Sequence, residues 1–327
     1  MMTRMTQKQT LNVLYVFDDN YAPYAGISIT SLLANVDEQT EVRVFVAGMS
    51  VSSENRNKLE QLICDYGQRL DWLDTTEAEG YIRDGHAGQW NGSCATWLKI
   101  FVIWQLPDEV ETILYIDSDT LVTGDVTAIL DFDLEDHPVA CALDSVGFRY
   151  GTRLRVDHYY NAGVIYFNIG YWKTEGFKEQ FLNNYFKNVE NYPANEQCLL
   201  NDFFREEILR LPIRYNMQGF LLMYSEEAYR TAYGRYDFYS RDEVRAAKEA
   251  PVIVHFFRIL GDYPWNTGNM HPARELYREW RQKSYWKDQP DVMAGKGVVF
   301  RIEKILYRIL PQKMFLKVYK RIVDRSY

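Results

Sequence analysis

Residues 113–119 of this chain read Ile-Leu-Tyr-Ile-Asp-Ser-Asp, an apolar run of strand character that stops at two aspartates spaced i, i+2. In extended backbone alternate side chains point the same way, so the spacing predicts Asp117 and Asp119 facing one cation from the end of a strand. Hard divalent ions take carboxylate oxygens and keep coordination positions open for phosphate. The triplet is short enough to recur by chance. Asp131-Phe132-Asp133 repeats it without a preceding strand, and that copy is assigned no function.

Context sets the fold class. Strands are predicted at 12–17, at 41–47 with Val42, Val44 and Val46 alternating, at 69–73 and at 112–116. Helices are predicted between them: 22–35, a segment capped by Ser52 or Ser53 with Leu59, Leu62, Ile63 and Tyr66 on one face, and one buried helix over 96–106. Such alternation predicts an α/β chain built from βαβ units around a mostly parallel sheet, with ligands beyond the carboxyl ends of the strands. Asp18-Asp19 and Asp117/Asp119 both fall at such ends and are expected to converge. Beyond Asp119 the pattern is mixed, with strands at 139–143, 163–168 and 252–255 and helices at 171–188, 196–204 and 272–287. The predicted division is one domain over 1–285 and a basic amphipathic extension over 286–327.

A chain of 327 residues, 47% hydrophobic and 25% charged with 10 prolines, has an ordinary globular composition. Cys64, Cys94, Cys141 and Cys198 lack any metal-binding or redox spacing and are expected to be buried, reduced thiols. The polar first eleven residues and the lack of a long apolar run argue against a secretion signal or a membrane span. Net charge is −8, yet 299–327 carries eight basic residues against Glu303 and Asp324, a local +6 that leaves −14 for the remainder. So acidic a body argues against nucleic acid as a partner.

Five elements in chain order then carry a family resemblance. Asp18-Asp19-Asn20-Tyr21 follows the first strand. Ala95-Thr96-Trp97-Leu98-Lys99-Ile100 precedes the run from Ile113 to Asp119 and Thr120-Leu121-Val122. Asn161-Ala162-Gly163-Val164, Glu196-Gln197 with Leu199-Leu200-Asn201, and His255-Phe256 with Pro264-Trp265 complete the set. Together, across 12–266, they resemble glycosyltransferase family 8, the retaining family that includes bacterial lipooligosaccharide galactosyltransferases and glycogenin.

The resemblance implies a GT-A nucleotide-diphospho-sugar transferase fold, a mixed, mostly parallel sheet flanked by helices. It implies transfer of galactose or glucose from a UDP-hexose, with retention, to a cell-surface glycan acceptor, with galactose favoured. Asp117, Asp119 and His255 would hold a metal acting as Lewis acid on the departing UDP, Mn²⁺ in preference to Mg²⁺ because an imidazole joins two carboxylates. Asp18, Asn20, Tyr21, Lys99 and Ser118 would bind the donor. Asn161, Glu196 and Gln197 would serve the reaction centre, where Gln197, a poor nucleophile, suits carbonyl stabilisation of positive charge. Asp144 would lie near the acceptor. Glu196 stands where the family carries Asp, one methylene shorter, and Tyr263 where it carries a pyrophosphate-binding Lys, a charge that Arg258 is expected to replace. Two other readings remain open. A nucleotidyltransferase would want a glycine-rich loop where Asp18–Tyr21 has none, and a non-catalytic relative finds support only in Glu196 and Tyr263.

The tail is a second signal. Ile302, Ile305, Leu306 and Ile309 form a stripe beside Arg301, Lys304 and Arg308. After Pro311 the pattern restarts with Phe315, Val318, Tyr319 and Ile322 among Lys313, Lys317, Lys320 and Arg321. Basic amphipathic helices lie on anionic membranes. The expectation is a cytoplasmic protein held peripherally at the inner face of the plasma membrane, acting on a lipid-linked acceptor; packing of the tail on the acidic body is the alternative.

Overall fold

The predicted strands at 12–17 and 41–47 are the centres of two longer ones in the computed structural model, which describes residues 9–90, 92–234, 238–293 and 297–325, with side chains to 321. These are β1 (Thr10–Asp18) and β2 (Glu41–Met49), paired in parallel from Thr10–Glu41 to Asp18–Met49. β3 (Arg69–Trp72) extends the sheet on one side and β4 (Thr112–Ile116) on the other, both in parallel. Next in sequence come β5 (Thr120–Val122), β6 (Val139–Leu143), β7 (Tyr160–Asn168), β8 (Ile208–Arg210), β9 (Met217–Gln218) and β10 (Ile253–His255). Among the described residues the main sheet runs β3-β2-β1-β4-β7-β6-β8, and β5-β10-β9 forms a second, small sheet. Only β7 runs against its neighbours β4 and β6, so the main sheet is mixed and mostly parallel.

Period-two alternation divides the strand residues between two cores. Leu14, Val16, Ile113 and Tyr115 join one, while Val13, Tyr15, Leu114 and Ile116 join the other. Helix Ala22–Ala34 ties the sheets together through buried hydroxyls. Ser28 Oγ bonds Tyr15 OH at 3.1 Å and Thr120 Oγ1 at 2.9 Å, and Val122 N–H donates to Ser31 Oγ.

Three expectations are corrected. The 96–106 segment is two 3₁₀ turns, Ala95–Trp97 and Ile103–Gln105, flanking one helical turn, Leu98–Phe101. It is apolar apart from Thr96, Lys99 and Gln105, β-branched at Val102-Ile103 and stopped by Pro107, so packing rather than helical periodicity sets its path. The 171–188 helix is two, Ile169–Glu175 and Phe177–Asn188, broken where Gly176 takes φ 64°. The thiols are all free, but Cys64 is exposed and only Cys141 and Cys198 are buried.

The extension forms two helices, Val298–Ile309 and Gln312–Arg325, packed on the body through Leu306, Tyr307, Phe315, Leu316 and Tyr319. Phe315 stacks on Tyr224, and Lys313 pairs with Glu227. Val298, Val299, Ile302, Ile305, Ile309 and Met314 remain exposed. Ile322 of the expected pattern lies outside the described side chains.

Candidate active site at the carboxyl ends of the strands

β1 and β4 run side by side, β1 ending in Asp18 and β4 stopping one residue before Asp117, so the parallel pairing puts both acids at one edge. Asp117 and Asp119 do not extend the strand together. The chain turns at Ser118-Asp119, Thr120 Oγ1 donates to Asp117 O at 2.8 Å, and β5 leaves antiparallel to β10. In that register Thr120 faces His255, and Phe256 N–H donates to Asp119 O at 2.8 Å. The turn, rather than i, i+2 alternation, brings the acids to the imidazole. One ligand atom each from Asp117, Asp119 and His255 lie within 4.8 Å of one another. His255 Nε2 is 3.3 Å from Asp119 Oδ1 and 3.8 Å from Asp117 Oδ2.

Neighbours prepare this cluster for a cation. His255 Nδ1–H donates to Asn216 Oδ1 at 3.0 Å, which leaves the Nε2 lone pair toward the carboxylates. Burial pulls the His255 pKa down, Asp119 and Asp117 outweigh it, and the net direction is up. Gly163 lies opposite Asp117, whose N–H donates to Gly163 O at 2.8 Å. A Cβ there would sit 2.1 Å from His255 Cε1 and 2.9 Å from Asp117 Oδ2, so glycine is what lets the imidazole close on the aspartates.

Lys99, only 1% exposed, reaches the same place from the opposite core. Its Nζ lies 3.1 Å from each of Asp117 Oδ1, Glu196 Oε1 and Ala162 O, and 4.4 Å from the centre of the Tyr115 ring. Burial alone would lower its pKa; Asp117 and Glu196 raise it on balance. Tyr115 OH donates to Asp117 Oδ1, and burial together with that carboxylate holds the phenol well above its ordinary range.

The hydrogen bonds continue inward. Asn216 Nδ2 donates to Asn161 Oδ1 at 2.8 Å, and Asn161 Nδ2 donates to Asp144 Oδ2 and Gln197 Oε1 at 3.0 and 3.1 Å. Gln197 Oε1 also accepts from Ala162 N–H, and its Nε2 donates to Asp144. The cleft beside the cluster is lined by Asp18, Tyr21, Trp90, Ser93, Thr96, Asp117, Ser118, Asp119 and Tyr263. One wall is aromatic: Tyr21 packs edge-on to Tyr24, Tyr24 stacks on Trp265 at 4.1 Å, and Trp265 stacks on Tyr263 at 4.6 Å. Thr96 Oγ1 is buried with no partner among the described residues, an orphan that a ligand atom would satisfy.

The sequence matches the profile of "Glycosyl transferase family 8" over residues 12–268. The chain belongs to glycosyl transferase family 8. It is therefore a glycosyltransferase, of a family that uses nucleotide-sugar donors and a divalent metal, and Asp117, Asp119 and His255 form its candidate metal centre. General stress protein A of Bacillus subtilis is 25% identical over 86% of this chain and 96% of its own length. A lipopolysaccharide 1,2-glucosyltransferase of Escherichia coli is 24% identical over 96% of this chain and 89% of its own. A crystal structure of the galactosyltransferase LgtC with donor and acceptor sugar analogs superposes with TM-score 0.67 at 19% identity, covering 84% of this chain and 96% of that one. That likeness shows the GT-A fold.

Within this glycosyltransferase the predicted site residues divide by placement. Asp18, Tyr21 and Ser118 line the cleft, with Asp18 Oδ1 accepting from Tyr21 N–H at 3.1 Å. Asn20 is exposed and is not among the lining residues. Arg258 is exposed, its guanidinium 5.4 Å from the centre of the Tyr263 ring, so it stands one ring away from the cleft. Asp144 is 3% exposed, with Oδ1 accepting from Val146 and Gly147 N–H and Oδ2 from Asn161 and Gln197. It holds those two amides from inside. Sequence reasoning missed Asn216, Tyr115, Thr96 and Gln218, which braces the Asp144 loop by accepting from Ser145 N–H and donating to Leu143 O. The available signal was Asn216-Met217-Gln218 at β9, which pairs with β10 but is separated from it in sequence by helices Gly219–Met223, Glu226–Tyr233 and Arg241–Glu249, and which has no distinctive spacing.

Proposed function

We propose that this glycosyltransferase is a retaining hexosyltransferase that takes galactose or glucose from a UDP-sugar and passes it to a glycan carried on a lipid, with galactose the first donor to test. The convergence of Asp117, Asp119 and His255 beside a cleft with an aromatic wall carries the reading. A divalent ion held by these three, Mn²⁺ or else Mg²⁺, supplies Lewis-acid stabilisation of the charge that develops on the leaving diphosphate. Tyr21 offers a ring face to the uracil, and Asp18 and Ser118 offer hydrogen bonds to the nucleoside. The Lys99 ammonium, fixed by Asp117 and Glu196, adds positive charge beneath the donor without moving during the reaction.

Asn161 and Gln197 are held by Asp144 next to that ammonium, where the transferred hexose would lie. Retention requires a group on the β-face, and the Gln197 carbonyl suits electrostatic stabilisation of the anomeric carbon better than covalent attack. Glu196 is held by Lys99, so the longer acid is accommodated by the ion pair. Release of UDP from UDP-galactose and UDP-glucose with Mn²⁺ tests the reading. Turnover with at least one donor, lost in Asp119→Ala, supports it, and no release with either donor contradicts it.

The tail supports the acceptor assignment. Arg301, Arg308, Lys317 and Arg321 are exposed beside Ile302, Ile305 and Ile309, and basic residues at an anionic surface contribute about 1 kcal/mol each. We place residues 286–327 as an extension that docks on an anionic leaflet with one face and on the catalytic body with the other. No helix among the described residues is long and apolar enough to cross a membrane.

A further inference from the structure

We infer that the extension is also a structural support of the donor cleft, with Lys304 as the positioning residue that fixes the turn leading into Tyr263; this rests on the reading of the cleft as the donor site. Between His255 and Tyr263 the chain reverses at Leu260-Gly261, with φ of 51° and 81°, closed by Ile259–Asp262 backbone bonds of 2.8 and 2.9 Å. The helix Val298–Ile309 meets this turn at two points. Phe300 packs where a Gly261 Cβ would lie, 2.4 Å from its ring. Lys304 Nζ lies 2.6 Å from Asp262 Oδ2, and Asp262 is only 1% exposed. Among the described residues Lys304 is the carboxylate's one ion-pair partner, and neither carboxylate oxygen has a well-aligned hydrogen bond.

Asp262 directly precedes Tyr263, whose ring lies 5° from parallel with Trp265 and forms part of the cleft. A buried carboxylate that loses its counter-charge is driven toward water. The turn would open with it, and Tyr263 would leave the aromatic row. A preorganised wall would then become a mobile one, with a cost in ligand affinity. A residue in the extension thus acts on the cleft through Asp262 and Tyr263, without touching the ligand.

The test uses the full chain and two readouts: hydrogen–deuterium exchange over 257–263, and calorimetry of UDP binding with Mn²⁺. Lys304→Met should speed exchange there by about tenfold and weaken UDP binding on the order of tenfold. Asp262→Asn combined with Lys304→Met should recover most of both, because no charge is then stranded. Lys187→Met, an exposed lysine on helix Phe177–Asn188, should alter neither by more than about twofold. Unchanged exchange overturns the inference, and faster exchange with unchanged affinity overturns the positioning role. Failure of the wild type to bind UDP overturns the donor reading instead, while exchange over 257–263 still decides the coupling. Should Lys304→Met not fold, Phe300→Ala is read the same way.

Discussion

Asn216 is fully buried and holds two things at once, the His255 tautomer through its Oδ1 and Asn161 through its Nδ2. Residues that orient a metal ligand typically change affinity 10–100-fold when lost. Asn216→Ala should therefore weaken Mn²⁺-supported UDP binding by about that factor, read by calorimetry; unchanged affinity would make Asn216 a packing residue only. His271 supplies a separate pH signal. Its Nδ1 accepts from Ala273 N–H and its Nε2–H donates to Phe257 O, so the neutral form is built in, and burial pushes its pKa down to about 4. Between that value and its ordinary 6.5 the unfolded chain takes a proton that the native one refuses, so stability falls as pH falls through this window. By pH 4 the loss is about 3 kcal/mol. His271→Gln should flatten the pH 4–6.5 part of a urea-midpoint curve, and an unaltered slope would assign the acid sensitivity elsewhere. At this scale the acids and His255 were legible because their residue types sit at strand ends. Asn216 and Gln218 were not, since a buried amide is defined by partners that are distant in sequence.

At the scale of elements, the helix Ala22–Ala34 shows how a close approach hides from pattern reading. A Cβ on Gly26 would stand 1.9 Å from the Trp286 ring, which is buried and donates to Asn55 Oδ1. Gly26→Ala should cost about 1–3 kcal/mol by overpacking, despite alanine's better helix propensity; a stabilised variant in denaturant melts would contradict this contact. The helix Arg241–Glu249 begins with a capping box, Ser240 Oγ accepting from Glu243 N–H and the Glu243 carboxylate accepting from Ser240 N–H. Ser240→Ala should cost about 1 kcal/mol in the same assay. The strands β1, β4 and β6 were legible as short apolar runs that prove buried, and β2 by the alternation of Val42, Val44 and Val46. The short strands β5, β8 and β9 were not, because two or three residues carry no period and, unlike the Val252-Ile253-Val254 run at β10, they are not all β-branched. Nor was the break at Gly176, where an isolated glycine in a helical pattern is ambiguous until its φ is known.

For the whole molecule, the extension presents exposed Ile302, Ile305 and Ile309 on one side and anchors through Phe315 and Leu316 on the other, so the two sequence-level alternatives for it are compatible geometrically. Vesicles rich in anionic lipid should sediment the protein, and neutral vesicles should not. Ile302→Glu with Ile305→Glu should weaken binding by more than about tenfold, with a comparable loss at high salt. Equal binding to neutral vesicles would remove the electrostatic part of the account. The proposed function depends on a cation joining Asp117, Asp119 and His255 to a nucleotide diphosphate. Calorimetry of UDP binding with Mn²⁺, with EDTA, and with Mn²⁺ on Asp119→Ala tests that directly. The account predicts tight binding in the first case and a loss of at least about tenfold in the other two; equal affinity in all three would contradict it.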